Sequence, residues 1–281
     1  IEGSKDKILN LNDCPLNDIS EIKKFKKEHG VFDLLLTQFS YAAWKGNEDN
    51  KEYRKNAASD KLETIINQYN ILECKNVIPF ASFIYFSNKL NNFMNDEINK
   101  PHIFQESLKS KINTVILAPG EEQYISELVQ NQNSLDFWKT KYETINNLPL
   151  DTFDKSIDFE TLKNEYTKYK NKIMEINSKF LIYFSSKIKF LQFFQPINIF
   201  LLDHKKNYEF SLINGFKETN DNKHDISMHS ESLSFIFNND FGYDTLTVNG
   251  CFNASKEGFI KSTRSFAIGS LNSMGLKLNF K

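Results

Sequence analysis

The chain has 281 residues, 40% of them apolar and 14% aromatic, which is enough for one large packed domain or two ordinary ones and excludes wholesale disorder. A formal net charge of −1 argues against a dedicated nucleic-acid binder, which carries a basic excess. Cys14, Cys74 and Cys251 stand far apart with no Cys-x-x-Cys pair, so neither a disulfide framework nor a thiolate zinc site is expected, and the chemistry fits a reducing cytoplasm.

The chain opens on Lys7-Ile8-Leu9-Asn10-Leu11-Asn12-Asp13-Cys14, a β-prone alternation that ends in a carboxylate. It reads as a strand already begun, and the chain as the downstream part of something longer. A carboxylate at a strand end is where an α/β enzyme presents a metal ligand or an acid–base group; the alternative role is the cap of the helix that follows. Asp18 or Ser20 can cap a helix through Lys27, with Gly30 as its stop. Val31 to Thr37 is a short, almost continuously apolar run, as in a strand buried on both faces of a parallel sheet. A loop from Gln38 to Asn50 follows, with Phe39, Tyr41 and Trp44 expected at the surface. Lys51 to Tyr69 has helical spacing, its stripe being Leu62, Ile65, Ile66 and Tyr69.

Asn76 to Phe86 reads as the next strand, and a polar loop with Asn88, Asn91, Asn92, Asn95 and Asp96 follows it. Pro101 to Lys109 reads as a helix with proline at its start, and Thr114 to Ala118 as a further buried strand. Strands alternating with helices indicate an α/β layered sandwich. Ser126 to Leu148 is polar, anchored by Trp138 and Tyr142. Asp158 to Ser178 is an amphipathic helix, and an apolar helix to Phe194 comes next. The lysine-rich stretches 23–27 and 163–189 have acidic neighbours and read as solvated helix faces. The apolar run from Phe180 to Leu202 is broken by Lys187, Lys189 and Pro196, so no membrane span is expected. From Pro196 the period becomes two: a hairpin of 197–202 with 208–213, a strand over Asp225 to His229, a short helix Glu231 to Asn238, a strand Thr245 to Phe252 and a last helix Phe259 to Leu271. The organisation expected is residues 1–125, a helical connector 126–194, and an α+β domain 195–281.

No GxGxxG, GxxxxGK[ST], GxSxG or HExxH occurs, which removes the sequence support for dinucleotide, phosphate-loop and elbow-serine enzymes. His224 and His229 are five apart, and on a strand their rings need not converge. A site around Asp240, Asp244 and His229 is a remaining possibility with no specific spacing.

The segments Ile8 to Cys14, Phe32 to Leu36 and Gln38-Phe39-Ser40-Tyr41-Ala42-Ala43-Trp44 resemble the second half of a metallo-β-lactamase-fold protein, in the branch that includes the CMP-sialic acid hydroxylase. Ile78 to Phe83, Asn91, Met94-Asn95-Asp96 and Gly242 to Gly250 fit the same branch. The resemblance implies an αββα sandwich with two metal ions, zinc or iron, at its strand ends. Asp13 matches the bridging aspartate of that family. His102 is the imidazole nearest to the place of the last histidine, where Ser87 and Asn88 stand, and no HxHxDH is present. Tyr41, Trp44, Asn88 and Asn91 would shape the substrate entrance. The tail, with Asn198 to Asp203 returning at Tyr208 to Leu212, resembles sterol-carrier-like α+β domains, which enclose an apolar tunnel. The implied function is the C-terminal portion of a metal-dependent hydrolase, inactive without its HxHxDH half, which a missing N-terminal segment or a partner chain would supply. The competing reading is a non-catalytic binding or scaffold protein that holds an apolar ligand in its tail or completes its sheet with a partner.

Overall fold

In the computed structural model, which describes residues 6–12, 14, 16–188, 190 and 193–279, the apolar runs near the start of the chain have unequal fates. Three become a parallel sheet in the order β1-β2-β3: β1 Ile8–Asn10, β2 Leu34–Thr37 and β3 Asn76–Pro79. Ile8 lies opposite Leu34, and Leu35 opposite Val77. The crossovers are helical, α1 Ile19–His29 and α2 Lys51–Leu72. Asp18 caps α1 by accepting from the Ser20 and Glu21 amides at 2.8 and 3.2 Å, and Gly30 ends it at φ 78°. Ile22 of α1, Ile65 and Leu72 of α2, and Leu35 and Val77 of the sheet are fully buried together. Each such side chain contributes roughly 1.5–3 kcal/mol.

Two expected strands are corrected. The Asn76 to Phe86 run leaves the sheet after Pro79: Ala81 turns at φ 58°, and the Ser82 hydroxyl accepts from the Phe39 amide at 3.0 Å. Thr114 to Ala118 forms only a single bridge, Val77 opposite Thr114, although Val115 and Ile116 are buried. Phe39 and Tyr41, expected at the surface, are buried, and Tyr41 donates to the Met94 carbonyl at 2.5 Å. The chain continues through α3 Pro101–Leu108 and α4 Gln132–Ile145. Trp138 donates to the Leu117 carbonyl and Tyr142 to that of Ile84, which makes both anchors. The loop after β2 is held by Arg54, 1% exposed, whose Nε and Nη2 each donate to Asp96 at 2.8 Å while Nη1 and Nη2 reach the Asn47 and Glu48 carbonyls.

The chain is thus mixed α/β with two sheets and, among the described residues, nine α-helices. It divides into two units: Ile1–Phe86 with Met94–Pro149, and Ser87–Phe93 with Leu150–Lys281. The helical stretch after residue 126 is shared between them, α4 in the first, α5 Phe159–Ile176 and α6 Lys179–Lys187 in the second.

The second unit has a five-stranded sheet in the order β6-β5-β4-β7-β8. The expected hairpin is β4 Ile197–Leu201 with β5 Lys206–Ser211, and β6 Gly215–Thr219 extends it. β7 Ile226–Met228 runs parallel to β4, and β8 Phe252–Ala254 is antiparallel to β7. Ile197, Ile199 and Leu201 point inward with period two. Tyr166 and Tyr169 of α5 pack on Phe210, Phe237 and Phe266, with Phe210 and Phe266 centroids 4.5 Å apart. Helices α7 Ser230–Asn238, α8 Gly242–Asn249 and α9 Lys256–Ser273 complete the unit.

Helix α8 replaces the strand expected over Thr245 to Phe252. A strand would put Leu246 and Val248 on one face; here Leu246 is buried and Val248 is 53% exposed. Gly242 permits the helix, since a Cβ there would lie 2.6 Å from the Ile236 Cα.

Gly258 is tighter still: an added Cβ would meet the Asp225 carbonyl oxygen at 1.9 Å, and the Gly258 amide donates to the Ser255 cap at 2.9 Å. Gly258→Ala should therefore cost about 2–3 kcal/mol through overpacking against fixed backbone, and Ser255→Ala about 1 kcal/mol through loss of a cap. Urea denaturation checks both, and an unchanged midpoint for Gly258→Ala would contradict this docking of α9.

Candidate functional site

The parallel sheet of the first unit leads both β1 and β2 into loops on one side, and in open α/β sheets ligands bind outside the C-terminal ends of such strands. A crevice of about 190 Å³ lies there, lined by Asn12, Cys14 and Asn17 after β1, Thr37 and Gln38 at the end of β2, and Lys61, Thr64 and Gln68 from α2. Positions 61, 64 and 68 recur at helical spacing, so one polar stripe of α2 faces the strand ends. Its volume suits a small group such as a carboxylate or a sulfate, below the roughly 300 Å³ at which whole-ligand pockets begin.

The floor is fixed by hydrogen bonds. Thr37 Oγ1 donates to Gln68 Oε1 at 3.0 Å, and Gln68 Nε2 donates to the Leu16 carbonyl at 2.8 Å. Lys61 Nζ donates to Gln38 Oε1 at 3.3 Å, a neutral partner. Burial pushes the Lys61 ammonium below the ordinary lysine range. Lys45 is shifted the same way, first by burial and then by the positive charge of Lys61. Neither lysine forms an ion pair among the described residues. Lys61 therefore gives the crevice, otherwise lined by neutral side chains, a positive charge with no carboxylate partner among the described residues.

The residues singled out from the sequence fall in several places. Asp13 lies outside the described residues. His102, in the first turn of α3, is half-buried, and its Nδ1 has no hydrogen-bond partner among the described residues. Burial lowers its pKa, as do Lys100 and Lys139, with Glu143 opposing. It does not line the crevice. Tyr41 is buried, with its pKa raised chiefly by burial, and Trp44 is half-buried; both belong to the first unit.

Asn88 and Asn91 belong to the second unit, and their amides serve the backbone. Asn91 Oδ1 accepts from the Asn88 amide, Asn88 Oδ1 from the Leu90 amide, and Asn91 Nδ2 donates to the Asn249 carbonyl at 2.8 Å. Among the described residues no three His, Cys, Asp or Glu side chains converge as a metal set. The described crevice residues, with Lys61 among them, do not make a divalent-cation site by themselves.

The second unit holds a polar cluster that the spacing of residues did not reveal. Asp203 Oδ2 accepts from the Ser156 and Ser230 hydroxyls, both at 2.6 Å, and Oδ1 from the Ser230 amide at 3.0 Å. His229 Nε2 lies 3.8 Å and His204 Nε2 3.7 Å from Oδ2. Burial raises the Asp203 pKa, but these hydrogen bonds outweigh it and hold the carboxyl below its ordinary value. The Ser230 hydroxyl both donates to Asp203 and accepts from the Ile157 amide, so it is a strut, not a nucleophile. His229 is not joined to Asp240, which pairs with Lys172 instead.

No family model, curated protein or solved structure matches the chain.

The environment of Tyr41 makes a prediction. Asp96→Ala would remove the carboxylate that balances the buried Arg54 guanidinium and should cost about 3–5 kcal/mol, whereas Tyr41→Phe, which removes one neutral hydrogen bond, should cost about 1 kcal/mol. Chemical denaturation distinguishes them; equal losses would mean that the ion pair does not hold the loop.

Proposed function

We propose that the first unit binds the anionic part of a substrate in the strand-end crevice, as one portion of a metal-dependent hydrolase of the metallo-β-lactamase fold. The observation that carries this reading is the crevice itself, where Lys61 lies among neutral side chains at the ends of β1 and β2 and Lys45 adds a second positive charge near it. The parallel order β1-β2-β3 with helical crossovers supports the sandwich half. On this reading Asp13 is a metal ligand, and the histidine ligands come from outside these 281 residues, which contain no HxHxDH. A zinc or iron ion would polarise the scissile group and activate water. Lys61 and Lys45 would orient the substrate anion and offset its charge.

Isothermal titration with sulfate tests the anion site. Lys61→Gln should weaken binding about tenfold or more, as expected for loss of a charge-assisted contact. The bound anion favours the protonated amine, so affinity is retained at neutral pH. It should fall on the alkaline side, beginning below the ordinary lysine value of 10.5 because burial depresses the folded pKa. Sulfate binding that ignores Lys61→Gln would refute the site. Tight stoichiometric zinc or iron binding with turnover by this chain alone would refute the partial-site reading.

A second reading is carried by the second unit, where an apolar cavity of about 270 Å³ lies beside α9, lined by Phe193, Phe194, Ile268, Leu271, Leu276 and Leu278. The hairpin β4–β5 followed by β7 and α7 supports the sterol-carrier likeness in element order. A carrier would hold an apolar ligand here. Native mass spectrometry should then find a lipid-sized adduct, and Ile268→Asp should remove it; an unliganded chain after exposure to free fatty acid would count against this reading.

A further inference from the structure

Two stretches of the second unit contain no acidic residue: Ile176 to Leu202, with Lys179, Lys187 and Lys189, and Gly258 to Lys281, with Lys261, Arg264, Lys277 and Lys281. In a chain of net charge −1 this is a strong local asymmetry. The nearest carboxylates along the chain, Glu175, Asp203 and Glu257, all lie outside these stretches.

The fold brings the two stretches together. The Ser178 amide donates to the Leu278 carbonyl at 2.8 Å, the Leu278 amide donates to Asn177 Oδ1 at 2.8 Å, and the Asn177 and Asn272 side chains are bonded to each other. Ser185, Phe193, Arg264 and Leu276 then wall the same apolar cavity. Helix α6, Phe193 and Phe194, the later turns of α9 and residues 274–278 thus share one region of the surface.

That region is apolar and exposed. Phe180 and Phe184, one helical turn apart on α6, are 62% and 55% exposed and stack on each other at 6.2 Å. Tyr183, Phe190, Met274 and Leu276 are also exposed. The cations sit against the rings: Lys187 Nζ is 4.9 Å from the Tyr183 centroid, and the Arg264 guanidinium 5.6 Å from that of Phe193. Rings that project outward with basic groups folded back beside them match a membrane interface, where rings enter the acyl boundary while ammonium and guanidinium groups meet lipid phosphates. No helix among the described residues is long and apolar enough to cross a membrane, so the contact would be peripheral.

We propose that this face of the second unit docks on an anionic lipid bilayer, with Phe180, Tyr183 and Phe184 inserted and Lys187, Arg264 and Lys277 facing the headgroups. Charge complementarity selects this occupant: an uncharged apolar partner would leave Lys187 and Lys277 without a counter-charge, and an acidic soluble surface would leave the rings in water.

The experiment is flotation of the full chain with phosphatidylcholine vesicles, with and without roughly one-third phosphatidylserine. The chain should float with the anionic vesicles and at least about tenfold less with the neutral ones, and about 1 M salt should release it. Lys187→Glu should reduce partitioning about tenfold, as should Phe184→Ser; both positions are exposed, and circular dichroism verifies that the variants fold. Absence of flotation with anionic vesicles, equal flotation with neutral ones, or variants that float like the unmodified chain would overturn the proposal. So would sedimentation showing a dimer that Phe184→Ser dissociates, since a second copy would then cover the face. None of these outcomes depends on the anion crevice of the first unit.

Discussion

The Gln68 side chain is the tie on which the first unit depends. It is 2% exposed, and it bonds at once to the end of β2 through Thr37 and to the loop after β1 through the Leu16 carbonyl. A buried amide must find partners for both its oxygen and its nitrogen, or lose about 1–3 kcal/mol for each one left unmet. With those two fixed, the crossover helix cannot slide along the sheet. Lys61, two turns earlier on the same stripe, is then held over the strand ends with its ammonium partly out of water. The geometry of the crevice and the desolvation of its lysine thus have one origin.

Much of the first unit was legible because its signals are local. Asp18, Gly30 and the stripe of Leu62, Ile65, Ile66 and Tyr69 marked α1 and α2 through capping and period alone. What failed depended on long-range pairing. Thr114 to Ala118 has the composition of a buried strand and is buried, yet only Val77 and Thr114 meet, because ladder formation needs a partner that composition does not specify. Phe39 and Tyr41 looked like surface rings because they follow a strand. Their burial is set by residues distant in sequence, Phe83 and Phe104 for Phe39 and Met94 for Tyr41. Lys61 and Lys45 were unmarked as a pair, since a lysine on an amphipathic helix normally lies in water and only the tertiary fold removes it.

The second unit shows the same division. Period two in 197–201 and 206–211 gave the hairpin, and Asp158 gave the start of α5. The run Thr245-Leu246-Thr247-Val248, with three β-branched residues in four, misled, because its helical state rests on Gly242 letting α8 approach Ile236 and on Gly250 ending it at φ 74°. The cluster at Asp203 joins residues from 156 to 230 and has no spacing to recognise. It gathers two hydroxyls, two imidazoles and a carboxylate, which in a list of residues resembles a catalytic set. The hydrogen bonds decide otherwise, since each hydroxyl bonds directly to the carboxylate and no imidazole stands between nucleophile and acid.

The charge of the crevice constrains any site built around it. Two like charges about 4 Å apart repel by about 4 kcal/mol at an effective dielectric of 20, so a divalent cation next to uncompensated lysines would need carboxylate or anionic substrate between them. Asp18, the next carboxylate after Asp13, is engaged as the cap of α1. Among the described residues that line the crevice there is no carboxylate, so a cation there would need ligands from elsewhere, whereas an anion would meet Lys61 directly. Anion binding is thus the simpler demand on this crevice, and the proposal of an anion site does not depend on that of a metal.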